Sequence, residues 1–80
     1  MNREEFIEIH DSCVAALTAY FVEAEKSTRM LGECTAKPLT FKKRFKLMSQ
    51  GLAEKEAHLT YLGAKSVLYK AARLGYGNTN

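Results

Sequence analysis

The chain has 80 residues, a formal net charge of +3, 46% apolar residues and a single proline. This composition is globular and excludes an intrinsically disordered chain, and the short apolar stretches exclude a membrane-spanning helix. The acidic N-terminal segment argues against a signal peptide, so we expect one cytoplasmic domain over residues 1–80, for which a partner or a second subunit would add to a small core.

The first predicted helix covers residues 2–31. Asn2 can cap its N-terminus, and Glu5 lies three residues later, where the helix dipole favours a carboxylate. At 100° per residue the first helix has one broad apolar side, which should be covered by two helices, or by one helix and a second subunit. This side consists of Phe6, Ile7, Ile9, His10, Cys13, Val14, Leu17, Tyr20, Phe21 and Ala24.

A connector is predicted over residues 32–39, because Gly32 can end a helix and Pro38 keeps the residue before it out of helical conformation. The second predicted helix covers residues 40–50, with Thr40 as its cap. It is amphipathic, and we expect its apolar side to face inward and its basic side to face solvent. The apolar side consists of Phe41, Phe45, Met48 and Leu52.

The third predicted helix covers residues 52–74, where a different stripe begins, turned roughly 120° from the phenylalanine stripe at 100° per residue. One continuous helix would then have two buried sides. A break or kink at Gly51 avoids this, because glycine weakens a helix by about 1 kcal/mol relative to alanine. The stripe consists of Ala53, Ala57, Thr60, Tyr61, Ala64, Val67, Leu68 and Ala71.

The predicted fold class is therefore all-α, a three-helix hairpin or small helical bundle that can form a dimer. Gly75 is predicted to end the last helix, and residues 75–80 are predicted to form a flexible tail.

A candidate protein-binding surface lies on the third predicted helix, off its main stripe. Apolar and aromatic side chains beside an arginine are typical of the centre of a protein–protein interface. The alternative is that the same residues pack beneath the second helix, whose apolar stripe has nearly the same phase. The residues are Leu59, Leu62 and Tyr69, with Lys55 and Arg73 on the same side.

A candidate nucleic-acid-binding surface follows from the charge distribution. Residues 1–36 carry three basic and seven acidic side chains, whereas residues 37–80 carry nine and two. Basic side chains on one helix could neutralise phosphates, although no aromatic side chain lies among them to stack on a base. Antiparallel packing of the two halves would instead balance these charges within the chain. The candidate residues are Lys42, Lys43, Arg44 and Lys46.

Signals for metal binding and catalysis are weak. His10 and Cys13 share a helix side, but a zinc site needs a second close pair of ligands, so we expect His10 to be buried and hydrogen-bonded. Cys13 and Cys34 are expected to be free thiols. No phosphate-binding loop or catalytic triad pattern is recognisable, and we therefore expect no catalytic residue, no metal and no cofactor.

These patterns together predict a small non-enzymatic helical protein that binds another macromolecule. Its partner is expected to be another protein, with a homodimer as one form of the interaction, and no membrane. It would act as a regulator, adaptor or inhibitor, of the kind that phages and plasmids encode. Nucleic-acid binding through the basic side of the second predicted helix is the alternative.

Overall fold

The computed structural model describes residues 1–74, which form two α-helices packed against each other. Helix α1 spans Arg3–Ala36 and helix α2 spans Phe41–Arg73. The short connector, residues 37–40, makes the helices run antiparallel, and each is about 50 Å long at 1.5 Å per residue. The described chain is a helical hairpin. The all-α prediction is therefore confirmed, and the prediction of a three-helix bundle is wrong.

The helix ends follow from local chemistry. The side chain of Asn2 accepts a hydrogen bond from the backbone N–H of Glu5 at 2.8 Å, and Thr40 Oγ1 accepts one from the backbone N–H of Lys43 at 3.2 Å. Each bond satisfies one of the N–H groups that a helix N-terminus leaves without an intrahelical acceptor. Lys37 is extended, as expected for a residue before proline.

Two glycines expected to interrupt the helices lie inside them. Helix α1 continues through Gly32, and α2 continues through Gly51 without a break. The break at Gly51 was predicted to avoid a helix with two buried sides, but only one side of α2 packs against α1. One glycine costs the helix about 1 kcal/mol, and the contacts with α1 that α2 makes before and after Gly51 can offset this cost. The predicted stop at Gly75 and the tail over residues 75–80 lie outside the described residues.

The contact between the helices repeats every seven residues, which is the period of a coiled coil. Many of the contacting residues are small, so the two backbones can approach closely. In α1 the buried or half-buried positions of this contact are Phe6, Ile9, Cys13, Ala16, Tyr20, Glu23, Ser27, Met30 and Cys34. In α2 they are Lys43, Leu47, Gln50, Glu54, Ala57, Tyr61, Ala64, Leu68 and Ala71.

Polar and aromatic contacts fix the register of the hairpin. Gln50 Nε2 donates to the backbone oxygen of Glu23 and to its carboxylate, both at 3.0 Å. One helix turn away, the Tyr20 ring lies 4.8 Å from the ring of His58 and 6.5 Å from that of Tyr61, centroid to centroid. These contacts hold the middle of α1 against the middle of α2.

The core of the hairpin is thin. Within residues 1–74 only Cys13, Ser27 and Ala71 are fully buried, and none of the large side chains is. The ion pairs of these residues, His10 with Asp11 and Lys26 with Glu23, both lie within α1. Charge attraction between acidic α1 and basic α2 therefore acts over longer distances and is reduced by salt.

A candidate protein-binding surface

One long side of the hairpin carries most of its large exposed apolar side chains, and we call this side the apolar face. It contains an aromatic or large aliphatic residue on almost every turn of α2 and on several turns of α1. In α1 its residues are Ile7, Val14, Phe21 and Leu31. In α2 they are Phe41, Phe45, Met48, Leu52, Leu59, Leu62 and Tyr69.

The geometry of antiparallel helices places both sets on the same side. The α1 residues follow the contact positions of α1 by one or four residues, and Met48, Leu62 and Tyr69 follow those of α2 by one. Phe45, Leu52 and Leu59 follow contact positions of α2 by two, which places them on the adjoining outer edge of α2, away from α1. In an antiparallel pair, positions rotated in the same sense from the contact lie on the same side of the hairpin. The contact between the Tyr20 and His58 rings agrees, since Tyr20 precedes Phe21 and His58 lies one turn before Leu62.

The predicted protein-binding residues lie on this face of α2. Leu59 is 56% exposed, Tyr69 is 59% exposed and Leu62 is 42% exposed. The expected alternative, packing beneath another helix of the same chain, does not occur within the described residues. Lys55 lies in the middle of the stripe, and Arg73 lies at its end, one turn beyond Tyr69; both are exposed.

The prediction that the phenylalanine stripe faces inward is wrong. Phe41 is 84% exposed and Phe45 is 65% exposed, and Met48 and Leu52 are similarly exposed. The less apolar stripe of α2, with alanines at 57, 64 and 71, packs against α1 instead. This arrangement extends the apolar face from the few residues predicted to the full length of α2.

The α1 part of the apolar face was assigned to the core in the sequence analysis. Ile7, Val14 and Phe21 belong to the broad apolar side of that helix, but all three are exposed. The sequence does indicate that part of this side is exposed, because the apolar side is too wide for a single neighbouring helix to cover. Of the two expected covers, only one helix is supplied by the described chain.

The opposite side of the hairpin carries fewer large exposed apolar side chains. One shallow groove there is lined by Glu8, Ile9, Ser12, Ala64 and Val67, and another by Lys26, Arg29, Met30, Glu33 and Gln50. Val22 and Val67 are the large apolar side chains exposed there. The hairpin as a whole is therefore amphipathic.

The candidate nucleic-acid-binding residues point in different directions around α2. Lys43 is half-buried at the helix contact, and with Lys46 it borders a groove that also contains the carboxylate of Glu33. Lys42 and Arg44 are exposed but lie about 200° apart at 100° per residue. The four side chains therefore do not form one continuous basic surface.

The candidate metal ligands are not brought together. His10 was expected to be buried but is exposed, with its Nδ1 atom 3.2 Å from the carboxylate of Asp11, whereas Cys13 is buried and Cys34 is half-buried. Within residues 1–74 no group of three or more His, Cys, Asp or Glu side chains could hold a metal ion. Neither α1 nor α2 contains a stretch apolar enough to cross a membrane.

The accessible surface of the chain is large for its mass. It measures 6312 Å², whereas a compact monomer of 9.0 kDa exposes roughly 4,900 Å². The excess of about 1,400 Å² is greater than the roughly 800 Å² that each partner contributes to a standard protein–protein interface.

Comparison with family models, with curated proteins and with solved structures gave no match for this chain.

Proposed function

We propose that the protein is a small non-enzymatic helical binding protein, a regulator, adaptor or inhibitor that acts by docking its apolar face onto another polypeptide. The observation that supports this proposal is the stripe of exposed large apolar side chains along α2, which Lys55 and Ser66 interrupt. Monomeric proteins rarely expose an apolar patch of this length, and such patches mark interaction surfaces.

The composition of the face also supports docking to protein. Its C-terminal half combines Leu59, Leu62 and Tyr69 with Lys55, and the Tyr69 ring carries the ammonium of Lys65 at 5.4 Å from its centroid. Aromatic side chains next to cations are enriched among the residues that dominate binding energy at protein interfaces. The charges at the edge would then orient a partner and exclude competitors.

The test is a comparison of variants in a quantitative capture experiment. The double variant Leu62→Glu with Tyr69→Ala places a charge on the face and removes the aromatic ring of Tyr69. Since neither side chain is fully buried within the hairpin, helical content measured by circular dichroism should be preserved. Proteins captured by the wild-type chain from host lysate, quantified by mass spectrometry, should be reduced at least tenfold with this variant.

Val67→Glu serves as the matched control. Val67 is 53% exposed, on the opposite side of the same helix, so this substitution adds the same charge without touching the face. Capture by Val67→Glu should equal that of the wild type. Equal capture by all three proteins would exclude the apolar face as the docking surface.

Nucleic-acid binding remains the second candidate function, because Lys42, Arg44 and Lys46 are exposed near the connector. Phosphate-driven affinity must fall steeply as salt rises, so filter binding at two salt concentrations identifies it. Absence of binding at low salt would exclude this function.

A further inference from the structure

We infer that the occupant of the α2 part of the apolar face is a second copy of this chain, with α2 of one protomer packed antiparallel to α2 of its partner. The inference rests on the proposed function in one respect, since both use the apolar face. It goes further by naming the partner and the arrangement, and it leaves the α1 part of the face free for a different protein.

The spacing of the exposed stripe along α2 is that of a helix–helix contact. Its residues alternate between steps of four and three, which is the pattern of a coiled-coil seam, and this seam is separate from the one that contacts α1. A helix with two such seams has two helical neighbours, and the described chain supplies only one of them. The positions of the second seam are Phe41, Phe45, Met48, Leu52, Lys55, Leu59, Leu62, Ser66 and Tyr69.

The seam can pair with an antiparallel copy of itself, because apolar residues lie at equal distances on either side of its midpoint. Lys55 lies at its midpoint, with Met48 and Leu62 seven residues away on either side and Phe41 and Tyr69 fourteen residues away. An antiparallel copy with the two-fold axis near Lys55 therefore places Met48 opposite Leu62 and Phe41 opposite Tyr69 of the partner protomer. Identical patches that pair in this way are the requirement of a two-fold dimer.

The polar centre of the seam is compatible with the axis. The two Lys55 ammonium groups repel each other at this axis, so each must extend along the rim of the seam to the exposed carboxylate of Glu56 of the partner protomer. A single charged position in an apolar seam fixes the register of a coiled coil at some cost in stability. A shifted register would bury Lys55 against apolar side chains, which is unfavourable.

The accessible surface area of the chain also favours a dimer. Each chain exposes about 1,400 Å² more than a compact monomer of its mass, and a standard interface takes roughly 800 Å² per partner. The surface that the hairpin exposes is therefore sufficient for an interface of standard size. Pairing through α2 would leave Ile7, Val14 and Phe21, which belong to α1, outside that interface.

Salt provides a signature that distinguishes this dimer from other occupants. Both copies carry a net charge of +3, and α2 holds eight basic and two acidic side chains. Salt screens the repulsion between two such helices, so self-association should strengthen as salt rises. Binding to nucleic acid or to anionic lipid should weaken under the same change.

The first experiment measures mass in solution. Sedimentation equilibrium of the full chain should give twice the 9.0 kDa chain mass. The dissociation constant of the dimer should decrease as the salt concentration is raised from 50 to 500 mM. Leu59→Glu, on the side of α2 away from α1, should raise the dissociation constant at least a hundredfold, because each dimer would bury two unpaired charges. Val67→Glu should leave it unchanged. A monomer at all concentrations and salts would overturn the inference.

The second experiment tests the axis by cysteine cross-linking. In a Cys13→Ala, Cys34→Ser background, Lys55→Cys should form a disulfide-linked dimer on mild oxidation, because the two copies of residue 55 lie next to each other. Phe41→Cys, which lies in the same seam but about 21 Å from the axis at 1.5 Å per residue, should not. A dimer by mass that cross-links at residue 41 would overturn the antiparallel arrangement.

The outcomes separate this inference from the proposed function. A monomer that loses a captured protein in the Leu62→Glu, Tyr69→Ala variant retains the proposed function and contradicts the dimer. A dimer whose capture profile does not change in that variant supports self-association and contradicts docking of another protein there. Co-sedimentation of monomers with anionic phospholipid vesicles, lost in Leu59→Glu, would assign the face to a lipid surface and overturn the dimer.

Discussion

Ser27 is buried in α1 without a hydrogen-bond partner for its hydroxyl. Threonines elsewhere in the helices, such as Thr18 and Thr28, donate to the backbone oxygen four residues earlier. The corresponding acceptor for Ser27 is the backbone oxygen of Glu23, which already accepts the amide of Gln50 at 3.0 Å. The bond that fixes the register of the two helices therefore competes with the one that Ser27 would make.

We predict that Ser27→Ala stabilises the protein. Removing a buried hydroxyl with no partner and substituting the best helix former should raise the free energy of unfolding by about 1–2 kcal/mol. Urea unfolding at fixed protein concentration measures this change. Ser49→Ala, at an exposed position of α2, should give only the propensity gain of about 0.5 kcal/mol. A loss of stability for Ser27→Ala would mean that the hydroxyl has a partner.

The predictions for single residues are confirmed where a hydrogen bond between residues close in sequence determines the structure. Asn2 and Thr40 cap the helices as the sequence predicted. His10 was misplaced, because its position on the broad apolar side of α1 indicated burial, whereas the second helix covers only part of that side. An angular position on a helix determines which residues share a side but not which of those sides is covered.

Helix α2 is one element with two stripes, and this is where the sequence analysis and the structure differ most. The roughly 120° rotation between the stripes was recognised, and it was attributed to a break at Gly51. The helix is continuous there, and the rotation separates two surfaces of a single element. Hydrophobicity alone favours burial of both stripes, and it does not distinguish the stripe that packs against α1 from the one that stays exposed.

We predict that Gly51→Ala stabilises α2. A methyl group added at Gly51 meets no other atom of the hairpin within 4 Å, so alanine should contribute its helix propensity, about 1 kcal/mol. Gly63, also in open space within α2, is the comparison, and Gly63→Ala should give a similar gain. The measurement is thermal unfolding followed by circular dichroism. Stabilisation by Gly63→Ala together with destabilisation by Gly51→Ala would indicate a turn at Gly51.

A hairpin that has only three buried residues within residues 1–74 has little core to offset the conformational entropy of folding. Domains of this size commonly obtain the missing stability from oligomerisation. We therefore expect folding and self-association to be coupled.

We predict that the thermal unfolding midpoint rises with protein concentration, because association with a second copy stabilises the folded state by mass action. A hundredfold range of concentration, followed by circular dichroism, measures this shift. Leu59→Glu should have a lower midpoint that does not depend on concentration, and Val67→Glu should follow the wild type. A concentration-independent midpoint for the wild-type chain would indicate a hairpin that is stable by itself.

Local sequence patterns are sufficient to predict the all-α class, the capped starts of α1 and α2, the extended residue before Pro38 and the position of Leu59, Leu62 and Tyr69 outside the stripe that packs against α1. These features depend on interactions between residues a few positions apart. The tertiary structure adds that α2 is unbroken and that the phenylalanine-rich stripe predicted to face inward stays exposed, so that the alanine-rich stripe makes the whole contact with α1. Two long helices pack through the side where small residues allow close approach, and this choice depends on the shape of both helices together.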